Sequence, residues 1–230
     1  MLRLENCVIR NGAFTLRADL DVRPGARVAI IGPSGAGKST LIEAIAGFLP
    51  VAEGRVIWSG MDITDIAPGM RPVAMLFQED NLFPHLSVAQ NVGLGVNPSL
   101  RLTTTEHEAV LAAIKRVGLE NMDDRKPGEL SGGQRSRAAL ARVLVQRKDL
   151  LLLDEPFAAL GPALRMEMLD LVADLVEETG ATLLMISHAP EDARRIAGHA
   201  IMVAEGMAHA PVETDRLLDN PPQVLRDYLG

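Results

Sequence analysis

A chain of 230 residues, 47% hydrophobic and 23% charged, is long enough to bury a substantial core and has the composition of a soluble globular protein. Its net charge of −7 argues against a nucleic-acid-binding surface and gives no reason to expect direct binding to anionic lipid. Cys7 is the one cysteine, which excludes an intrachain disulfide and a thiolate zinc cluster, and no run of about 18 apolar residues is present to span a bilayer.

The N-terminal segment lacks the long apolar stretch of a signal peptide and reads instead as a β-hairpin. Asn11-Gly12 is a favoured two-residue turn, because both positions tolerate positive φ. Beyond it Phe14, Leu16, Ala18, Leu20 and Val22 alternate with polar or small residues, the pattern of a half-buried strand. Pro24-Gly25 breaks the chain, and the apolar run at 28–31 leads directly into Gly32. A helix is expected from about Gly37, with Leu41, Ile42 and Ile45 on one face and Gly47 as its C-terminal cap. Residues 51–72 carry the Gly, Pro and Asp punctuation of a second small β region. For 105–118 the pattern predicts a helix with a Thr105/Glu108 capping box, a face of Val110, Leu111, Ile114 and Val117, and Gly118 at its end. Another helix is expected over 133–146. The runs 150–153 and 183–186 are unbroken apolar strands, which suit a parallel sheet covered by helices on both faces. Leu164, Met168, Leu171 and Leu175 mark an amphipathic helix between them. The whole reads as one α/β core with a helical insert at 86–148.

Gly32-Pro33-Ser34-Gly35-Ala36-Gly37-Lys38-Ser39 matches the phosphate-loop pattern G-x4-G-K-[ST] and lies between a strand and a helix, as that pattern requires. Its glycines let backbone N–H groups turn inward around phosphates. The helix that follows adds its positive dipole end, worth up to about 2 kcal/mol per charge. Residues 32–39 together with Thr40 are expected to cradle ATP, Lys38 to reach the β- and γ-phosphates, and the Ser39 hydroxyl to ligate Mg2+. Leu150-Leu151-Leu152-Leu153-Asp154-Glu155 is a buried strand ending in two carboxylates. Side chains alternate along a strand, so the two can do different work: Asp154 holding Mg2+ through water, Glu155 orienting and polarising the attacking water. Leu130-Ser131-Gly132-Gly133-Gln134 forms a second phosphate-binding helix N-terminus. One chain with one nucleotide has no use for two such cradles. Two chains arranged head to tail do: each presses Ser131, Gly132, Gly133 and Gln134 onto the ATP held by the other.

These motifs resemble those of ABC transporter ATPase subunits, and the likeness covers nearly the whole chain. The resemblance implies a single ABC-type P-loop ATPase domain. Residues 1–85 and 149–230 then form a mostly parallel sheet flanked by helices, with an N-terminal antiparallel β region, and 86–148 form a helical subdomain. It also implies that Gln78, in Leu76-Phe77-Gln78-Glu79, touches Mg2+ and the attacking water, and that His188, in Met185-Ile186-Ser187-His188, contacts the γ-phosphate. The implied partners are a second copy of the chain, a transmembrane permease and, indirectly, an extracytoplasmic substrate-binding protein, but no nucleic acid. The implied location is the cytoplasmic face of a bacterial inner membrane, held there peripherally. The apolar segment containing Phe77, Leu82, Phe83 and Pro84 is the expected seat for a permease coupling helix.

Residues 71–86 and 88–95 resemble importer ATPases, and Asn97-Pro98-Ser99-Leu100 is similar to the thiamine (thiamine pyrophosphate) importers. Iron(III), polyamine, sulfate and molybdate importers share most of these motifs. Two positions depart from the family pattern. Ala158-Ala159-Leu160-Gly161 stands where the family usually has S-A-L-D, which is expected to alter coupling between the two ATP sites. The family's adenine-stacking Tyr is missing; Phe14 is the nearest candidate, and Asn11 lies closer to the expected place.

Overall fold

The computed structural model of the chain describes residues 1–77, 81–158 and 160–229, the last three as backbone alone. β1 (Leu2–Asn11) and β2 (Phe14–Val22) form the expected hairpin, but its turn is Gly12-Ala13, one residue later than Asn11-Gly12. Asn11 pairs with Phe14, so it closes the ladder, and Gly12 takes the positive φ (+59°). An extra residue in β1 between Leu4 and Cys7 bulges the strand and bends it. β4 (Val51–Trp58) pairs with the other edge of β1 and carries β5 (Met61–Asp62). Cys7 is buried in this hairpin, where its thiol donates to the Arg55 carbonyl (3.1 Å) and burial pushes its pKa up to about 11.

The other strands are β3 (Arg27–Ile31), β6 (Val73–Leu76), β7 (Leu150–Asp154), β8 (Thr182–Ile186) and β9 (His199–Ala204), which run parallel in the order β9-β3-β8-β7-β6. β10 (Met207–Ala208) joins this sheet to the antiparallel one by pairing with both β9 and β2, and β11 (Val212–Glu213) adds to β9. β7 and β8 are buried along their whole length, and alternate residues serve two separate cores. Leu150, Leu152, Leu184 and Ile186 face α1 (Lys38–Ala46) and the antiparallel strands. Leu151, Leu153, Leu183 and Met185 face α5 (Pro162–Thr179) and the inserted helices. Each such leucine contributes about 1.5–3 kcal/mol by burial, which explains why both strands are apolar on both faces.

The inserted helices are α2 (Val88–Gly93), α3 (Thr104–Arg116) and α4 (Gly132–Leu144). α3 starts earlier than expected, so the capping box is Thr103/Glu106 rather than Thr105/Glu108. Glu106 accepts the Thr103 N–H (2.8 Å) and Thr103 Oγ1 accepts the Glu106 N–H (3.3 Å). The earlier start leaves the preceding Leu102 packed against the core. Leu111 points outward, and the buried face is Val110, Ala113, Ile114 and Val117. Fully buried Asn91 pins the loop that enters α2: its side chain accepts from Phe83 N (2.8 Å) and donates to the carbonyls of Phe83, Leu86 and Ser87. The short C-terminal helices α6 (Pro190–Ile196), α7 (Thr214–Asp219) and α8 (Gln223–Leu229) have too few turns to show a helical period in sequence. Among the described residues no helix is long and apolar enough to cross a membrane.

α1 is anchored at its far end by Arg71, only 2% exposed. The guanidinium donates to the carbonyls of Ala44 and Ile45 in the last turn of α1, and to Thr64 and Ile66. It thereby satisfies carbonyls that a helix end leaves unpaired, and its charge suits the negative end of the dipole. Gly47, in the left-handed region (φ +89°), is required because a Cβ there would lie 2.5 Å from Arg71 Nε. Arg71→Ala is expected to lower the unfolding free energy by about 3 kcal/mol or more, measured as a shifted midpoint in urea, because it strands four carbonyls beside a new cavity.

Candidate active site

Residues 32–37 connect β3 to α1, and glycine sets the shape of the loop. A Cβ on Gly32 would overlap the Val203 carbonyl of β9, and one on Gly37 would lie 2.7 Å from the Phe14 ring. Gly35 (φ +75°) and Gly37 (φ +102°) both lie in the left-handed region. Lys38 is buried, and its ammonium donates to the carbonyls of Gly32 (2.7 Å) and Pro33 (2.9 Å). Burial lowers its pKa, opposed by the nearby charges of Glu155 and Asp154. Ser34, Ser39, Thr40, Asn11 and Phe14 join this loop, with Glu155 and His188, around one cleft of about 300 Å3.

Asp154 ends β7 with 8% exposure, near the Ser39 hydroxyl. Its Oδ1 and Arg165 Nε are, among the described residues, the two buried side-chain polar atoms without a hydrogen-bond partner. Burial raises the pKa of Asp154 and Glu155 adds to the rise, while the Ser39 hydroxyl, Lys38 and His188 oppose it. The next residue, Glu155, adopts a left-handed backbone (φ +46°), a conformation that costs a non-glycine residue energy. Its carboxylate Oε1 lies 2.5 Å from His188 Nε2. The two are far apart in sequence and meet because β7 and β8 are adjacent and in register, with Asp154 opposite Ile186. The same pair also borders a second cavity of about 180 Å3, lined in part by Ser187, Asp192 and Arg165, to which the sequence analysis gave no role. Their signal was faint: a serine just ahead of the Pro-Glu-Asp start of a short helix.

The 130–134 segment lies elsewhere. Ser131 caps α4 in a reciprocal box, accepting from Gln134 N (3.3 Å) while Gln134 Oε1 accepts from Ser131 N (2.9 Å). Gly133 has no room for a Cβ because Leu164 of α5 packs against it. Ser131, Gly132, Gly133 and Gln134 do not line the cleft of their own chain. Gln78 lies outside the described residues.

Residues 16–158 match the family model described as ABC transporter. The chain belongs to the ABC transporter family. The thiamine import ATP-binding protein ThiQ of Ruegeria sp. (strain TM1040) is 62% identical over 230 residues, 100% of both chains, and that of Cereibacter sphaeroides is 56% identical over the same span. ThiQ of Shigella flexneri serotype 5b is 51% identical over 218 residues, 95% of this chain and 94% of its own. Among solved structures, the ADP conformation of MJ1267, an ATP-binding cassette of an ABC transporter, superimposes with a TM-score of 0.89 at 29% identity, covering 100% of this chain and 98% of that one. The dimeric post-hydrolysis state of the cassette MJ0796, bound to ADP and Pi, gives a TM-score of 0.82 at 28% identity, covering 93% and 99%.

Within this ABC transporter fold, the residue that departs from the family's usual aspartate, Gly161, is the N-cap of α5. It is exposed, has ordinary φ (−64°), makes no side-chain cap, and leaves open space where a Cβ would go. Gly161→Asp is therefore expected to stabilise the chain by a few tenths of a kcal/mol, read as a small rise in Tm. A larger effect is expected at Asp154. Because its folded-state pKa is raised, the ionised carboxylate penalises the folded state at every pH above that value, and the penalty fades as pH falls through it toward the ordinary 3.8. Asp154→Asn is expected to raise the Tm of the nucleotide-free chain at pH 7, with the gap to the parent protein narrowing as pH is lowered.

Proposed function

We propose that this chain is the ATP-hydrolysing subunit of an ABC importer that takes up thiamine or thiamine pyrophosphate. The observation that carries the hydrolytic part is the convergence of Lys38, Ser39, Glu155 and His188 on one cleft. The thiamine part rests on the full-length similarity to thiamine import ATP-binding proteins. ATP lies along the loop of residues 32–40, with Lys38 and the α1 N-terminus against its β- and γ-phosphates and Phe14 and Asn11 toward its base.

The residues present fit a magnesium ion. Asp154 Oδ1 is a buried anionic oxygen in need of a partner, and Ser39 stands beside it, giving the all-oxygen donor set that Mg2+ selects; Gln78 completes the proposed set. Bound there, Mg2+ supplies charge neutralisation on the phosphate oxygens. Glu155 accepts a hydrogen bond from the attacking water and aligns its oxygen with the γ-phosphorus. As the bond between the water oxygen and the γ-phosphorus forms, the bond from that phosphorus to the bridging oxygen of ADP breaks, the water's proton leaves by way of Glu155 for the phosphate product, and His188 donates a hydrogen bond to the γ-phosphoryl oxygens.

A second copy completes the site by supplying Ser131, Gly132, Gly133 and Gln134, which do not line the cleft of their own chain. Residues 86–148 act as the helical subdomain that carries this edge. The exposed Phe83 (47%), on the loop that Asn91 pins, seats a transmembrane permease, and the pair works on the cytoplasmic face of the membrane with an extracytoplasmic binding protein opposite. Two measurements test this reading. Cells carrying the assembled transporter are expected to take up labelled thiamine, and Lys38→Ala is expected to abolish both uptake and ATP hydrolysis. Glu155→Gln saturated with MgATP is expected to elute as a dimer; a protein that stays monomeric, alone and with its permease, overturns the shared-site mechanism.

A further inference from the structure

Behind the Glu155–His188 contact, three polar side chains from two helices and a turn form a chain of contacts. Ser187, 6% exposed, immediately precedes His188; its Oγ accepts the N–H of Ala189 (3.1 Å), so it clasps the backbone on both sides of the histidine. The same hydroxyl lies 3.1 Å from Asp192 Oδ2, in the first turn of α6, to which it donates. That carboxylate oxygen lies 3.7 Å from an Arg165 terminal nitrogen, on the first turn of α5. Arg165 is tied to the preceding segment by its own N–H, which donates to the Gly161 carbonyl (2.9 Å). Farther along, Arg195 clamps Asp170 with two hydrogen bonds (2.7 and 2.6 Å), so α5 and α6 are held together at a second point.

We propose that Asp192 is a positioning residue for the hydrolysis reaction: through Ser187 it fixes the orientation of His188, and through Arg165 it makes that orientation depend on the placement of α5 and the Gly161 segment in front of it. This inference rests on the hydrolytic reading of the cleft. Asp192 does not line the cleft; it holds the turn that presents the His188 ring to it. Arg165 Nε, buried and without a partner, leaves the guanidinium held on its Asp192 side by a long contact alone, which suits a joint that shifts rather than a fixed clamp. Because Gly161 is the N-cap of α5, a displacement there moves Arg165 in the adjoining first turn and so reaches Asp192, Ser187 and the His188 backbone in sequence.

The test is a double-mutant cycle on ATP hydrolysis by the assembled transporter. Asp192→Ala is expected to lower kcat by about tenfold to a hundredfold while KM for ATP changes less than about twofold, since misplacing a catalytic group affects the transition state rather than nucleotide binding. Asp192→Asn, which keeps the acceptor for Ser187 and loses only the charge opposite Arg165, is expected to fall between the parent protein and Asp192→Ala. In a His188→Ala background, Asp192→Ala is expected to cost nothing further. Losses that multiply, or a loss carried by KM, overturn the proposal. If Asp192→Ala fails to assemble, Arg165→Ala takes its place in the same cycle, with non-additivity supporting and additivity overturning. A parent protein that hydrolyses no ATP would instead overturn the hydrolytic reading itself.

Discussion

A carboxylate at the inner end of a fully buried strand is costly to keep ionised, and the site is arranged around that cost. Asp154 sits there because β7 is sealed on both faces, leaving its last side chain nowhere to go but the seam between the sheet and α1. Ser39 stands nearby, and Oδ1 has no hydrogen-bond partner. The structure thus stores unfavourable electrostatics at the position where the proposed Mg2+ would relieve it, so that on the proposed reading nucleotide binding adds to local stability. Lys38 shows the complementary arrangement: a cation held by the carbonyls of its own loop, available for phosphate oxygens at the cost of two charge-assisted hydrogen bonds to neutral carbonyls.

How much of this could be read from sequence follows from how local each constraint is. The phosphate loop was legible because its glycines are dictated by backbone geometry within eight residues. The apolar runs of β7 and β8 were legible because burial on both faces leaves no room for alternation. The start of α3 shifted because the capping-box motif occurs twice within two residues, and packing of Leu102 goes with the earlier copy; the hairpin turn shifted by one residue because strand pairing extends to Asn11–Phe14. What was not legible depends on strands that meet across the chain. Nothing in the run ending at Glu155 says that His188 will stand 2.5 Å away, and nothing near Ser187 names Arg165 as a neighbour. Arg71 gave no sequence signal either, since a lone arginine before a proline looks like a surface residue until four carbonyls are found around it.

The 130–134 segment illustrates how one sequence serves two ends. Within its own chain it is a well-formed capping box, and Gly133 is small because Leu164 packs on it. Those facts account for the motif as local structure, but not for why Ser131 and Gly132 at the capped terminus are left exposed. The shared-site reading supplies that second reason, and the two are compatible because a satisfied Ser131–Gln134 box keeps the terminus in shape before any ligand arrives.

The buried thiol of Cys7 has a practical side. A cysteine enclosed by the hairpin, bonded to a backbone carbonyl and with its pKa lifted to about 11, presents almost no thiolate at neutral pH. Alkylating reagents and mild oxidants have little to react with. A reporter cysteine placed on an exposed helix would therefore carry a fluorophore or spin label alone, and distances between two copies could be followed without first removing the natural sulfur.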